Sequence, residues 1–139
     1  MSNATTTQEG TTQPTQALPD LSHHIGSQTL YRHPLARTVL YTEGMQDLAE
    51  QCGAHWFIDV IASHIATNAS LRREKFQLWI LKLDIDGGCR VEAWTDTPGS
   101  DGAERIVRQV IEYTDFPADF QCYATWDGQG FVIMLKSEY

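Results

Sequence analysis

Cations are scarce in this sequence: ten Lys and Arg stand against 18 Asp and Glu among 139 residues, a net charge of −8. A phosphate backbone is gripped by clustered cations, so the balance argues against direct nucleic-acid binding. Long apolar runs are missing as well. No stretch approaches the roughly 20 residues needed to span a bilayer. The N-terminus has neither the basic start nor the apolar stretch of a signal peptide. The expectation is a cytoplasmic protein with no membrane partner. Cysteine is sparse: Cys52, Cys89 and Cys122 form no CxxC pair, which excludes a disulfide framework. Their apolar neighbours (Leu48, Ala49, Val91, Phe120) predict small buried thiols.

Catalytic signatures are absent too. Ser63 precedes His64 but lies in no GxSxG elbow. Gly99 and Gly102 make neither GxGxxG nor a P-loop, and no Gly-Lys-Ser/Thr follows. Neither a nucleotide nor any other cofactor is expected.

The chain that remains divides near residue 21. Residues 1 to 20 hold six threonines, three glutamines and two prolines. Such a stretch cannot bury enough apolar surface to offset its ordering entropy, and it reads as a disordered tail. Residues 21 to 139 are enough for one domain.

Two helices are expected first. Met45, Leu48, Ala49 and Cys52 recur at i, i+3, i+4, i+7 over residues 42 to 52. Thr42 is placed as the N-cap and Gly53 as the stop. Over residues 54 to 67, Ala54, Ile58, Ile61 and Ile65 form a stripe, with His55, Asp59 and Ser63 opposite. From Phe76 onward the period changes to two. Strands are predicted over residues 76 to 85, 89 to 96, 104 to 114, 119 to 126 and 131 to 136, with turns at Asp86-Gly87-Gly88 and Asp127-Gly128-Gln129-Gly130. Residues 30 to 41 are ambiguous. Pro34 forbids a regular central strand there, while Thr38 to Tyr41 suit an edge. The order predicts an α+β domain of two helices followed by a mostly antiparallel five-stranded meander, with the helices on one face.

The segments YRHPL (31–35), LYTEGMQDLAEQCGAHWFID (40–59), IASH (61–64), FQLW (76–79), YTDFP (113–117) and SEY (137–139) resemble a family of small proteins of unknown function. Its members are encoded in bacterial genomes, plasmids and bacteriophages. The resemblance spans nearly all of residues 21 to 139 but omits the tail and residues 97 to 105. It implies a setting of mobile genetic elements and carries over no catalytic residue.

Two constellations bear on function. His55 and Asp59 are i, i+4 on one helix face, where they suit a metal or an oriented acid–base pair. A zinc site needs further ligands, and His33 is a candidate. His64 is directed toward the apolar flank and reads as a hydrogen-bonded core histidine. The second constellation is acidic and aromatic. Residues 84 to 139 hold eleven Asp and Glu against four Lys and Arg, and residues 1 to 83 hold seven against six. Nearly all the excess negative charge thus belongs to the β half. Trp94 shares a strand face with Arg90, Glu92 and Asp96, and tryptophans on such faces serve as binding anchors.

Two function classes follow. One is a binding protein of a mobile element, acting on a host or element-encoded protein with a basic surface and inhibiting a nucleic-acid-targeting defence complex. Trp94, Asp96, Asp101, Glu104 and Asp127 are its binding residues. The other is a small metal-dependent hydrolase using His33, His55 and Asp59. A ligand site on the aromatic sheet face is a minor third option.

Overall fold

The computed structural model describes residues 18–19, 21 and 29–139. Two short strands, β1 (Leu30–Arg32) and β2 (Val39–Thr42), precede the helices α1 (Glu43–Cys52), α2 (His55–Thr67) and α3 (Ala69–Arg72). Five strands follow: β3 (Phe76–Leu83), β4 (Cys89–Trp94), β5 (Arg105–Ile111), β6 (Phe120–Trp126) and β7 (Phe131–Leu135). A single 3-10 turn, Lys136–Glu138, comes last. The α+β class holds, but among the described residues the sheet has seven strands rather than five, and a third, one-turn helix follows the expected two.

Local chemistry accounts for the helix ends. The Met45 amide donates to Thr42 Oγ1 at 3.2 Å. Gly53 adopts φ 61°, a left-handed conformation, while its N–H bonds the Ala49 carbonyl; glycine takes that conformation without a Cβ penalty. At the end of α2 the Arg72 guanidinium donates to the carbonyls of Ile65 and Ala66, both at 2.9 Å, satisfying acceptors that the helix leaves open. Thr42 also ties the chain's end to α1. Its hydroxyl donates to Glu138 Oε1 at 2.6 Å, and the same oxygen accepts from the Leu135 amide at 2.9 Å. A Cβ on Gly44 would collide with Leu135 and Glu138.

The strand order is β1-β2-β7-β6-β3-β4-β5, which corrects the predicted meander in two places. First, β5 does not lead into a neighbour. The chain crosses both β4 and β3, and β6 pairs antiparallel with β3, so β3 to β6 form a Greek key. The crossing segment is pinned by Phe116, buried near Phe57 and Phe120 with ring centroids 6.3 and 5.9 Å away. Asp119 then accepts from the Leu83 amide and from Lys82 Nζ. Secondly, β2 pairs parallel with β7, Val39 opposite Phe131; every other pairing among the described residues is antiparallel. Residues 30 to 41, ambiguous in sequence, supply these two extra strands, and Pro34 falls in the loop between them.

Alternation sets the two faces of the sheet. Trp79, Leu81, Val91, Ala93, Cys122, Ala124, Phe131 and Ile133 turn inward and are wholly buried with Phe57, Ile61 and Ile65 of α2. Of the segment expected to be a tail, Leu18 and Pro19 lie within the described residues. With Leu21 they line a shallow hollow against Phe120, Gln121, Leu135 and Lys136. Residues 1–17 and 20 lie outside the described residues.

Candidate functional site

The helices cover one face of the sheet, and the other face is built by the alternate residues. On β3 these are Phe76, Leu78, Ile80 and Lys82; on β4, Arg90, Glu92 and Trp94; on β6, Gln121 and Tyr123; on β7, Val132 and Met134. The pairings arrange them in rows, with Leu78 opposite both Trp94 and Tyr123, and Glu92 opposite both Ile80 and Arg108. At the Ala93/Trp94 step a bulge shifts the register, so that Arg105 comes opposite Trp94. A bulge of this kind re-aims a side chain at a strand end.

One carboxylate organises the β4–β5 part of this face. Glu92, with a side chain 12% exposed, lies 4.0 Å from Arg90 Nη1, 3.6 Å from Arg105 Nη1 and 3.8 Å from Arg108 Nε. Its other oxygen accepts from the Trp94 indole N–H at 2.8 Å. Arg90 also pairs with Asp84 at 3.1 Å. The guanidiniums of Arg105 and Arg108 make no hydrogen bond to another described residue, so most of their donors remain available. Beside this cluster lie three rings: Phe76 is 4.8 Å from Tyr123 and 5.2 Å from Tyr139, and Tyr123 is 5.3 Å from Tyr139. Lys136 donates to Gln121 at 3.0 Å and lies 5.9 Å from the Tyr123 ring.

The acidic residues chosen from sequence occupy the end of the sheet instead. Asp96, Asp101 and Glu104 belong to the exposed loop between β4 and β5, immediately beyond Trp94. Asp127 opens the β6–β7 turn at the same end, where the Trp126 amide bonds the Lys75 carbonyl just before β3. Asp127 is also a turn-former, since its Oδ1 accepts from the amides of Gln129 and Gly130. Those bonds hold its carboxyl below the ordinary carboxylate range. Lys75 covers the Trp126 ring at 4.5 Å.

The histidine constellation is gathered only in part. His33 Nε2 and Asp59 Oδ1 are 2.8 Å apart, while His55 hydrogen-bonds Gln46 at 3.3 Å. Among the described residues no three His, Cys, Asp or Glu converge as metal ligands do. The buried His33 ring also has both nitrogens engaged. Nδ1 accepts from the amides of Leu35 and Ala36 at 3.2 and 3.0 Å, so Nε2 carries the proton it donates to Asp59. The pair fastens the β1–β2 loop to α2. His33→Ala is expected to cost about 1–3 kcal/mol in urea unfolding, through two orphaned amides. Asp59→Asn keeps an acceptor and is expected to cost less, and equal losses in the two variants would contradict this assignment.

His64 behaves as its position predicted: Nε2 lies 2.6 Å from Gln109 Oε1, with the ring 6.1 Å from that of Trp79. Cys89 and Cys122 are buried and Cys52 partly so. Burial is the main cause that pushes all three thiols above their ordinary range, which suits packing rather than nucleophilic attack. A shallow cleft of about 420 Å³ lies between Trp56 and Val60 of α2 and the segment Ile111, Tyr113 to Asp115.

A family model described as "Family of unknown function (DUF6876)" matches residues 15–139. The chain belongs to this family. The DUF6876 match covers every strand and helix described above, together with the loop of residues 97 to 105 that the sequence resemblance left out. No curated protein matches the sequence. Among solved structures, a protein of unknown function from Enterococcus faecalis aligns with a TM-score of 0.47 at 19% identity, over 73% of this chain and 89% of that one.

Sequence reasoning overlooked Arg105 and Arg108, which share Glu92 with the Trp94 indole. The even-numbered run Arg90, Glu92, Trp94 carried the first part of the signal. The remainder depends on strand register, which one-dimensional alternation does not contain.

Proposed function

We propose that this DUF6876 protein is a small acidic binding protein of mobile-element type. It acts in the cytoplasm by contact with a host or element-encoded protein that has a basic surface. Its mode is inhibition of a nucleic-acid-targeting defence complex, whose cations its carboxylates occupy in place of phosphates. The observation that supports this reading is the gathering of Asp96, Asp101, Glu104 and Asp127 at one end of the sheet, beside Trp94 and Trp126. Three of the four carboxylates stand on a single exposed loop, where a partner can reach them without disturbing the core.

The test reverses the charge of that loop with Asp96→Lys, Asp101→Lys and Glu104→Lys together, leaving Trp94 and the turn-forming Asp127 intact. Wild-type protein used as bait in host lysate is expected to retain a stoichiometric partner at low salt and release it at high salt. The triple variant is expected to slow association at low salt about tenfold or more, since charges at the rim of an interface act mainly on the on-rate. A partner captured equally well by the reversed loop sinks the reading.

A further inference from the structure

We propose that the open face of the sheet binds single-stranded nucleic acid, with Arg90, Arg105 and Arg108 taking phosphates and Trp94, Tyr123 and Tyr139 offering ring surfaces to bases. The whole-chain charge of −8 conceals a segregation. All four Lys and Arg of residues 84 to 139, namely Arg90, Arg105, Arg108 and Lys136, stand on this one face, and Lys82 of β3 joins them. Against these five cations the face holds three carboxylates, Asp84, Glu92 and Asp119. Asp96, Asp101 and Glu104 stand at the rim of the face, on the loop that joins Trp94 to Arg105, and Asp127 opens the β6–β7 turn at the same end. A ligand on the face responds to the nearest charges, because at physiological salt the screening length is about 8 Å.

The cluster around Glu92 holds Arg105 and Arg108 in place without neutralising them, whereas Arg90 is also paired with Asp84 through its Nε and keeps its outer nitrogens. One carboxylate faces three guanidiniums at 3.6 to 4.0 Å, beyond good hydrogen-bond length. Arg105 and Arg108 have side chains 47% and 45% exposed. Their planar forks match phosphate oxygens. Glu92 also anchors the Trp94 indole through its N–H, fixing a ring next to the guanidiniums. Across the Leu78 row Tyr123 stands two strands away, roughly 10 Å at ordinary strand spacing, and the Tyr139 ring, 75% exposed, packs beside it. Aromatic rings on neighbouring strands of an open sheet, interleaved with arginines, suit unstacked bases. Among the described residues no helix rises from this face to enter a duplex groove, which favours a single strand.

This inference shares Trp94 with the protein-partner reading but rests on other groups, the arginines and tyrosines of the sheet face rather than the carboxylates of the β4–β5 loop and Asp127, so the two can be tested apart. Full-length protein is titrated into fluorescein-labelled oligothymidylate and oligouridylate of about 20 nucleotides, followed by anisotropy at about 50 and 200 mM salt. Binding is expected to weaken with salt with a log–log slope near −2, at ~0.7 per phosphate for three arginine contacts. Arg105→Gln with Arg108→Gln is expected to lower affinity about tenfold or more and to flatten that slope. Tyr123→Leu is expected to lower affinity about tenfold and leave the slope alone. Thermal melts confirm that both variants fold, and the loop reversal at Asp96, Asp101 and Glu104 is expected to keep or strengthen oligonucleotide binding, because it removes carboxylates beside Arg105 and Trp94. Absence of saturable binding to either oligonucleotide overturns the proposal. So does affinity unmoved by the arginine and tyrosine changes, or displacement by polyglutamate as effective, charge for charge, as by unlabelled oligonucleotide. That last result would assign the face to an acidic polypeptide.

Discussion

Trp79→Ala is expected to lower the free energy of unfolding by about 3–5 kcal/mol. Trp79 is the largest side chain fully withdrawn from solvent among the described residues. It sits on β3, the strand with β6 on one side and β4 on the other, so walls that are themselves paired surround the space it fills, and the site cannot easily collapse. A second loss adds to the cavity. The indole N–H donates to Gln77 Oε1 at 2.9 Å, and Gln77 Nε2 in turn donates to the carbonyls of Leu71 and Glu74 at 2.9 and 3.1 Å. Truncation leaves the buried Gln77 oxygen without its donor and loosens the link from the sheet to the end of α3. Domains of this size are stable by roughly 5–15 kcal/mol, so the variant stands close to the edge of folding. Trp79→Phe separates the two effects. It retains most of the volume but orphans the same oxygen, and it is expected to cost about 1–3 kcal/mol. Urea denaturation followed by far-UV circular dichroism measures both. A Trp79→Ala midpoint close to that of the wild type would show that β3 is not the core strand described here.

Gly130→Ala is the second large effect, about 1–3 kcal/mol from steric crowding, with its damage concentrated in β1 and β2. The backbone of Gly130 is not in the left-handed region, so conformational freedom is not the reason for glycine. Space is the reason. A Cβ there would press on the Thr38 carbonyl oxygen, the same atom that accepts the Phe131 amide at 3.0 Å as β2 comes alongside β7. That oxygen must move, and the β2–β7 pairing starts immediately beyond it at Val39. Among the described residues β1 pairs in the sheet with β2 alone, so both strands loosen together. Native-state hydrogen exchange reads this directly. The Phe131 and His33 amides, which donate to the Thr38 and Val39 carbonyls, are expected to lose protection while those of β3 keep theirs. Uniform loss across the sheet would mean that Gly130 acts on global stability instead.

The same two residues show how far the sequence could be read. The inward Trp79 lay in a run apolar on both parities, which predicts a central strand covered on both faces; β3 is central, but the helices pack on the Trp79 face and not on that of Phe76, Leu78, Ile80 and Lys82. For Gly130 the sequence offered a turn signature, Asp127-Gly128-Gln129-Gly130, and its local role is as read, with Asp127 closing the turn. Its second role, making room for a strand some 90 residues earlier in the chain, left no local trace. The histidines divide the same way. His55 and Asp59 are neighbours on a helix by spacing, yet Asp59 bonds His33, and His55 turns to Gln46. Helical spacing shows which residues share a face but not which distant residue arrives to meet them.

By itself the sequence determined what depends on a few consecutive residues. Both long helices follow from their apolar spacing, the Thr42 cap and the Gly53 stop, and the five later strands follow from alternation and glycine turns. Only the tertiary structure decided what depends on pairing across the chain: the two early strands, the parallel β2–β7 contact, the crossing from β5 to β6, and the collection of the β half's cations on one face. The reason is physical. Capping and periodicity are set by hydrogen bonds and side-chain directions within about one turn, whereas strand order and register are set by which edges and inward faces remain to be filled once the core has formed.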